Sequence, residues 1–344
     1  MRVPTLALAA ALLATAAPAQ EAKLTAIPMT PGTVMVRAFE SPQGDLEEIR
    51  VVQQAGPDGV RLSRSAQVLM PDGKLVRFDA PRFVAAEDQR NGRIYAFAIV
   101  PGEPERKPGS TAIGLSSAVF DELKAKGLAE IQFSFGKELA DVMIRRFDGD
   151  ESVDVLVNGE RRTAPAIRTS AITKGTGQAS AFSTWYLDDR DNPVGLKTES
   201  AGLPGGAPRV SQLVLLNVFD AALRQRVRQR LSEGKSVDLY GFRFDRDGAG
   251  GLRAESTFAL KLMAAVLRDL PGARMEARVH IDKADGTRAV AEARLQKLKA
   301  ALERELPEAA ERVDWTAGGS AEPAMQGDTL LTRAANRRVT LRPK

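Results

Sequence analysis

The 344-residue chain contains no cysteine and a single histidine. Without cysteine there is no disulfide framework, so stability rests on ordinary cores, which a chain of this length can build. One histidine excludes a zinc site built from several, and it leaves His280 as the sole candidate base for a catalytic triad. Aromatic residues make up only 5% of the chain, too few for the stacking platforms that bind single-stranded nucleic acid. Beyond the N-terminus no run of about 18 apolar residues occurs, so no transmembrane segment is expected in the mature chain. Gly-x-Ser-x-Gly elbows, phosphate-binding loops and His-Glu-x-x-His motifs are all missing. Acidic residues are plentiful enough for a glycosidase pair, yet nothing selects two of them. The expectation is a protein that is not an enzyme, with no catalytic residue, no metal site and no cofactor.

What is present describes a globular chain, 43% hydrophobic and 27% charged, of a length that fits two domains. Its 49 basic and 44 acidic side chains give a net charge of +5, which favours an acidic partner without choosing one. Arg2, the apolar run from Leu6 to Ala17 and the small-x-small signal Ala17-Pro18-Ala19 read as a signal peptide over residues 1–19. No cysteine follows the cleavage signal, so the expected product is a periplasmic protein that is not a lipoprotein.

From Leu24 to Pro208 short alternating runs are broken by Gly, Pro, Asp and Asn. Thr33–Phe39, Arg93–Val100, Glu130–Phe135, Val153–Val157 and Phe182–Leu187 all read as strands of antiparallel sheet. A helix over Ser116–Lys126, capped by Ser116 or Ser117 and stopped by Gly127, interrupts them. Residues 20–208 therefore form a β-rich region, with a subdomain boundary near residues 101–110 and a linker at Gly202–Pro208. Asp188, Asp189, Asp191 and Asn192 lack the glycine and bidentate glutamate of a calcium loop and fit a β-turn.

Residues 209–344 open with a strand at Arg209–Val218 and a helix at Phe219–Leu231, whose Arg224, Arg226, Arg228 and Arg230 fit a solvated face. A β-α-β-α-β core is expected over 236–341: strand Ser236–Phe244, helix Glu255–Leu267, strand Arg274–Ile281, helix Arg288–Leu306 and strand Asn336–Leu341. The fold class is α+β, with the helices packed on a small mixed sheet.

Three blocks in this region carry a resemblance. Gly234-Lys-Ser-Val-Asp-Leu-Tyr-Gly-Phe-Arg-Phe-Asp245 with Leu252-Arg-Ala-Glu-Ser256, then Val279-His-Ile-Asp282, then Arg333-Ala-Ala-Asn-Arg-Arg-Val339 resemble, in order, the opening, the Gly-His-Thr-Asp block and the terminal block of OmpA-like peptidoglycan-binding domains. The resemblance implies docking on peptidoglycan, with an aspartate and an arginine reading the ammonium and carboxylate of the stem-peptide diaminopimelate. It identifies Asp282 as the aspartate. For the arginine, the helical register that puts Arg294 on one face with Val290, Leu298 and Leu302 is preferred to the ungapped count that selects Lys297, since a lysine lacks the planar two-donor fork.

His280, Asn336 and Arg338 complete the candidate peptidoglycan-binding set. His280 fits hydrogen bonding within its sheet better than catalysis, and an arginine of the terminal block fits pairing with a loop carboxylate at least as well as ligand contact. Val279 and Ile281 stand where the family has glycine and threonine, so a module that keeps the fold without the ligand remains an open alternative. An envelope protein is the expected partner of the N-terminal region; nucleic acid is not.

Overall fold

A computed structural model describes residues 23–40, 45–69, 74–96, 104–135, 138–173, 179–200, 209–245 and 251–344. The signal peptide and the Gly202–Pro208 linker expected from the sequence lie outside these residues. Among the described residues the chain is α+β and rich in strands, which form two sheets.

The larger sheet opens with an antiparallel meander of β1 (Thr33–Phe39), β2 (Leu46–Gly56), β3 (Gly59–Leu69) and β4 (Leu75–Ala85). Helix α1 (Ala86–Asn91) and the short β5 (Ile94–Ala96) and β6 (Ser110–Thr111) follow. Helix α2 (Ser117–Lys126) is capped by the Ser116 side chain and ends at Gly127, which is left-handed with φ 73°. Strands β7 (Leu128–Phe135), β8 (Glu138–Val157), β9 (Glu160–Thr173), β10 (Ala179–Leu187), β11 (Gly195–Ser200) and β12 (Arg209–Val218) complete the sheet. The β8–β9 hairpin turns on Asn158 and Gly159, both at positive φ, as a two-residue hairpin loop requires.

Strand β12 pairs with β1 and β11, and it also meets β8 in parallel at Leu215↔Leu156. Strands β8 to β12 thereby close into a ring within the twelve-stranded sheet. The sequence grouped Arg209–Val218 with the C-terminal region; its backbone bonds lie in the larger sheet instead. Alternation marks a strand, but it does not say which sheet completes the ladder.

The smaller sheet has the order β13 (Val237–Leu239), β16 (Val339–Pro343), β14 (Met275–His280), β15 (Val313–Gly319). It is mixed, because β14 runs parallel to β15 and antiparallel to β16. Helix α3 (Ala221–Ser232) precedes it, and α4 (Thr257–Asp269), α5 (Arg288–Glu305), α6 (Pro307–Ala310) and α7 (Leu330–Asn336) lie between its strands. Met275, Ala277, Val279, Val313, Val339 and Leu341 share one core with Val227 of α3, Met263 and Leu267 of α4 and Leu298 and Leu302 of α5. Their alternate neighbours carry charge, as in the Glu276 contacts to Arg278, Thr316 and Arg342.

The expected C-terminal core needs correction at three points. The strand expected over Ser236–Phe244 leaves the ladder after Leu239, because Gly241 at φ 101° turns the chain; Tyr240 and Phe242 then enter different cores. Strand β15 was not expected, although Val313-Asp-Trp-Thr-Ala alternates. The last strand starts at Val339, not Asn336, since a Thr329/Thr332 capping box starts α7 and carries the helix through Asn336. Helix α7 buries Leu330, Leu331, Ala334 and Ala335 against Val34, Val36 and Ile49 of the larger sheet, so apolar contact joins the two sheets.

Candidate functional site

Strand β14 ends at His280, and Ile281-Asp282 leads into a short 3-10 turn over Lys283–Asp285. This turn is a reciprocal capping box. Asp282 Oδ1 accepts from Ala284 N at 2.9 Å, and Asp285 Oδ2 accepts from Asp282 N at 3.4 Å. Asp282 is 1% exposed, and its Oδ2 accepts from Asn336 Nδ2 at 2.8 Å. Both of its oxygens are thus held by the protein, one by the turn and one by the end of α7.

Asp285 presents the carboxylate that meets the arginines. Its Oδ2 accepts from Arg294 Nη1 at 2.9 Å and from Arg337 Nε at 3.0 Å. Burial pushes the Asp285 carboxyl up, but the Arg337 and Arg294 charges outweigh burial and hold it at about 2. The Arg294 guanidinium also lies over the Phe244 ring, 5.1 Å from its centroid. Burial opposes the Arg337 charge, and Asp285 and Glu47 more than offset that, so its pKa is raised.

These groups line a cavity of about 40 Å³ together with Arg243, His280, Arg338, Asp45 and Glu47. Arg243 is 3% exposed, and its Nε and Nη2 make no hydrogen bond among the described residues. Glu47 is the second residue of β2 in the larger sheet, and Asp45 immediately precedes that strand. Asp45 Oδ2 accepts from Arg333 Nε at 2.8 Å and from Arg337 Nη2 at 3.3 Å. Glu47 Oε1 stands 3.8 Å from Arg337 Nη1, and its Oε2 stands 3.5 Å from Arg243 Nε.

Of the residues singled out in the sequence, Arg294, His280 and Arg338 line this cavity. Asp282 and Asn336 bond to each other beside it. Lys297 is exposed on α5 and does not reach it. His280 Nε2 lies 3.1 Å from Thr340 Oγ1 on the neighbouring strand, while Nδ1 is buried without a hydrogen bond among the described residues. Burial and the nearby Arg338 push the imidazole down to about 4, so it is neutral at pH 7. Arg338 donates to Glu322 O at 3.1 Å. Terminal-block arginines do pair with loop carboxylates: Arg337 with Asp285 and Asp45, and Arg333 with Asp45 and Asp328.

The sequence alone did not single out Asp285, its pairing with Arg337, Arg243, Asp45 or Glu47. Asp285 was within reach, since Asp282-Lys-Ala-Asp285 is an acidic version of a capping box. Nothing local marks Asp45 or Glu47. The positions that depart from the family pattern, Val279 and Ile281, are both buried, and Val279 belongs to the helix-covered core. Elsewhere the expected turn at Asp188–Asn192 joins β10 to β11, with Asp189 Oδ1 accepting from Asp191 N at 3.1 Å. The four arginines of α3 are exposed, and Arg224 pairs with Asp269 at 2.6 Å.

No protein-family model and no curated protein matches the chain. Among solved structures, it is similar to the cell wall anchor of the T6SS from Pseudomonas aeruginosa, at 23% identity over 31% of this chain and 78% of the other, with a TM-score of 0.27. It is also similar to a protein described as MotB-like from Desulfovibrio vulgaris, at 14% identity over 35% of this chain and 90% of the other, with a TM-score of 0.29. A third similarity is to the periplasmic domain of Helicobacter pylori MotB, at 16% identity, 31% and 74% coverage and a TM-score of 0.27. No helix among the described residues is long and apolar enough to cross a membrane.

Proposed function

We propose that the chain is a non-enzymatic periplasmic protein of the cell envelope that docks non-covalently on peptidoglycan. Its C-terminal core, 236–341, reads the diaminopimelate of the stem peptide, and the β-rich region that precedes it carries a separate envelope partner. The observation that carries this reading is the meeting of three blocks distant in sequence. The end of β14, helix α5 and the α7–β16 junction bring Asp285, Arg294 and Arg337 together at one cavity.

The chemistry matches the ligand class. A zwitterionic amino-acid centre offers an ammonium to a carboxylate and a carboxylate to a guanidinium, and charge-assisted hydrogen bonds give both contacts strength. Arg294 supplies a planar donor pair for the ligand carboxylate, which a lysine would lack. Asp282 holds the turn that presents Asp285, and Asp285 faces the ammonium. Export by the N-terminal signal delivers the protein to the wall.

A second reading is favoured by one observation: both oxygens of Asp282 are already engaged within the protein. On that reading the module is structural and binds no wall component. Co-sedimentation of the full mature chain with purified sacculi at low salt separates the two. Pelleting of the wild type supports docking, and a chain that stays in the supernatant leaves the structural reading.

A further inference from the structure

The cavity at the end of β14 is filled from outside its own sheet. Asp45 immediately precedes β2, and Glu47 is its second residue. Their carboxylates rest on Arg333, Arg337 and Arg243. Carboxylate on guanidinium is the same contact that a stem-peptide carboxylate would make there.

We infer that Asp45 and Glu47 are internal occupants of the anion-reading side of this site, and that a wall carboxylate binds the intact chain by displacing them. The inference rests on the docking reading above and adds its regulation. The remaining volume of about 40 Å³ admits a few water molecules but no zwitterionic amino-acid centre, so something must leave before a ligand enters. Asp45 and Glu47 are the carboxylates that a ligand carboxylate would replace on Arg333, Arg337 and Arg243. The carboxylate of Asp285 is locked in the capping box, whereas these two acids reach in from the end of a strand.

Two further features point the same way. Arg243 Nε and Nη2 are buried and lack hydrogen bonds among the described residues, since Glu47 stands at 3.5 Å from Nε without satisfying either. These donors suit an acceptor that approaches closer. Meanwhile the apolar contacts of α7 with Val34, Val36 and Ile49 keep the sheets docked. Displacement is therefore a movement of two side chains, with no parting of the sheets. A tethered carboxylate competes at high effective concentration, and apparent affinity falls by the fraction of molecules in which the site is open. A single stem peptide therefore binds the intact chain more weakly than a chain in which the two acids are neutralised.

The test is calorimetric titration of the full mature chain with a stem tripeptide ending in meso-diaminopimelate. Wild type is compared with the Asp45→Asn/Glu47→Gln double variant, each with and without Arg294→Ala. The double variant is expected to bind at least tenfold tighter, and Arg294→Ala to abolish binding in both backgrounds. Neutralising Asp189 and Asp191, remote from the cavity, should leave affinity unchanged. A folded double variant that binds no tighter overturns the inference and leaves docking intact. Tightening that survives Arg294→Ala, or that the remote pair reproduces, also overturns it, because bulk charge would then be the cause. If neither wild type nor the folded double variant binds, docking itself fails and the inference falls with it. Removing two acids from a buried ion cluster can prevent folding. Glu47→Gln alone, which leaves Asp45 on Arg333, then carries the test with an expected gain of at least threefold and the same overturning outcomes.

Discussion

Asn336 donates its Nδ2 hydrogen to Asp282 Oδ2 at 2.8 Å, joining residues 54 positions apart behind the charged cavity. Its Oδ1 accepts from Met325 N at 3.1 Å, so one amide ties the β14 turn to the loop before α7. Asn336→Leu leaves a buried carboxylate oxygen without its donor, and the expected cost is about 1–3 kcal/mol in urea unfolding. Asp282→Ala should cost at least as much, because it also strips the cap from Ala284 N. A loss of wall binding in Asp282→Ala would therefore report a collapsed turn as readily as a lost contact.

Acid should unfold the protein through its paired carboxylates. The folded pKa of Asp285 is about 2, below its ordinary value of 3.8. A depressed pKa means stability that is fully present above the unfolded value and lost as pH falls through the folded one. The shift corresponds to about 2 kcal/mol, lost between about pH 4 and pH 2. Glu48, held at about 2 by Arg50 and Arg64 against the effect of burial, adds to the same window. Thermal melts should be flat in this respect above about pH 5. Asp285→Asn should lose part of the drop below it, and an unchanged drop would contradict the assignment.

His280 sets a second, higher window. Its folded pKa of about 4 lies below the ordinary 6.5, so the neutral ring is favoured in the folded state. Stability tied to it is present above pH 6.5 and declines as pH falls toward 4, by about 2 kcal/mol at pH 5. His280→Asn should remove this slope between pH 6.5 and pH 4 while leaving the Asp285 window in place. A slope that persists in the variant would assign it to another group.

Arg294 and Lys297 give opposite expectations on one helix. Lys297 is exposed, so Lys297→Ala should change stability by no more than about 0.5 kcal/mol and leave wall binding intact. Arg294→Ala removes a donor to Asp285 and its contact over Phe244, and binding should fall at least tenfold. Equal effects of the two variants in a stem-peptide titration would reject the register that selects Arg294.

Local pattern made much of the C-terminal region legible. The period of α5 and the alternation of β14 are strong signals, and both elements appear within a residue or two of their expected limits. Ser116 was readable as a cap because its hydroxyl has one local task. Where the reading failed, short elements met long-range contacts. Helix α7 has only seven residues, and its apolar face is explained by Val34 and Ile49, some 300 positions earlier in the chain. The Arg337–Asp45 pair spans 292 positions and leaves no trace in either neighbourhood. The site was legible as a set of motif positions. That Asp282 would support and Asp285 would face the arginines depended on a turn only the fold defines.

The most direct measurement of the central claim is release of wall-bound protein by soluble ligand. Full mature chain is pelleted with diaminopimelate-containing sacculi at low salt, then challenged with free stem tripeptide. Docking through Arg294 and Asp285 predicts that the tripeptide moves wild type into the supernatant, while a lysine-containing stem does not. Protein that never pellets, or that pellets and is released by both stems alike, would contradict a site built to read diaminopimelate.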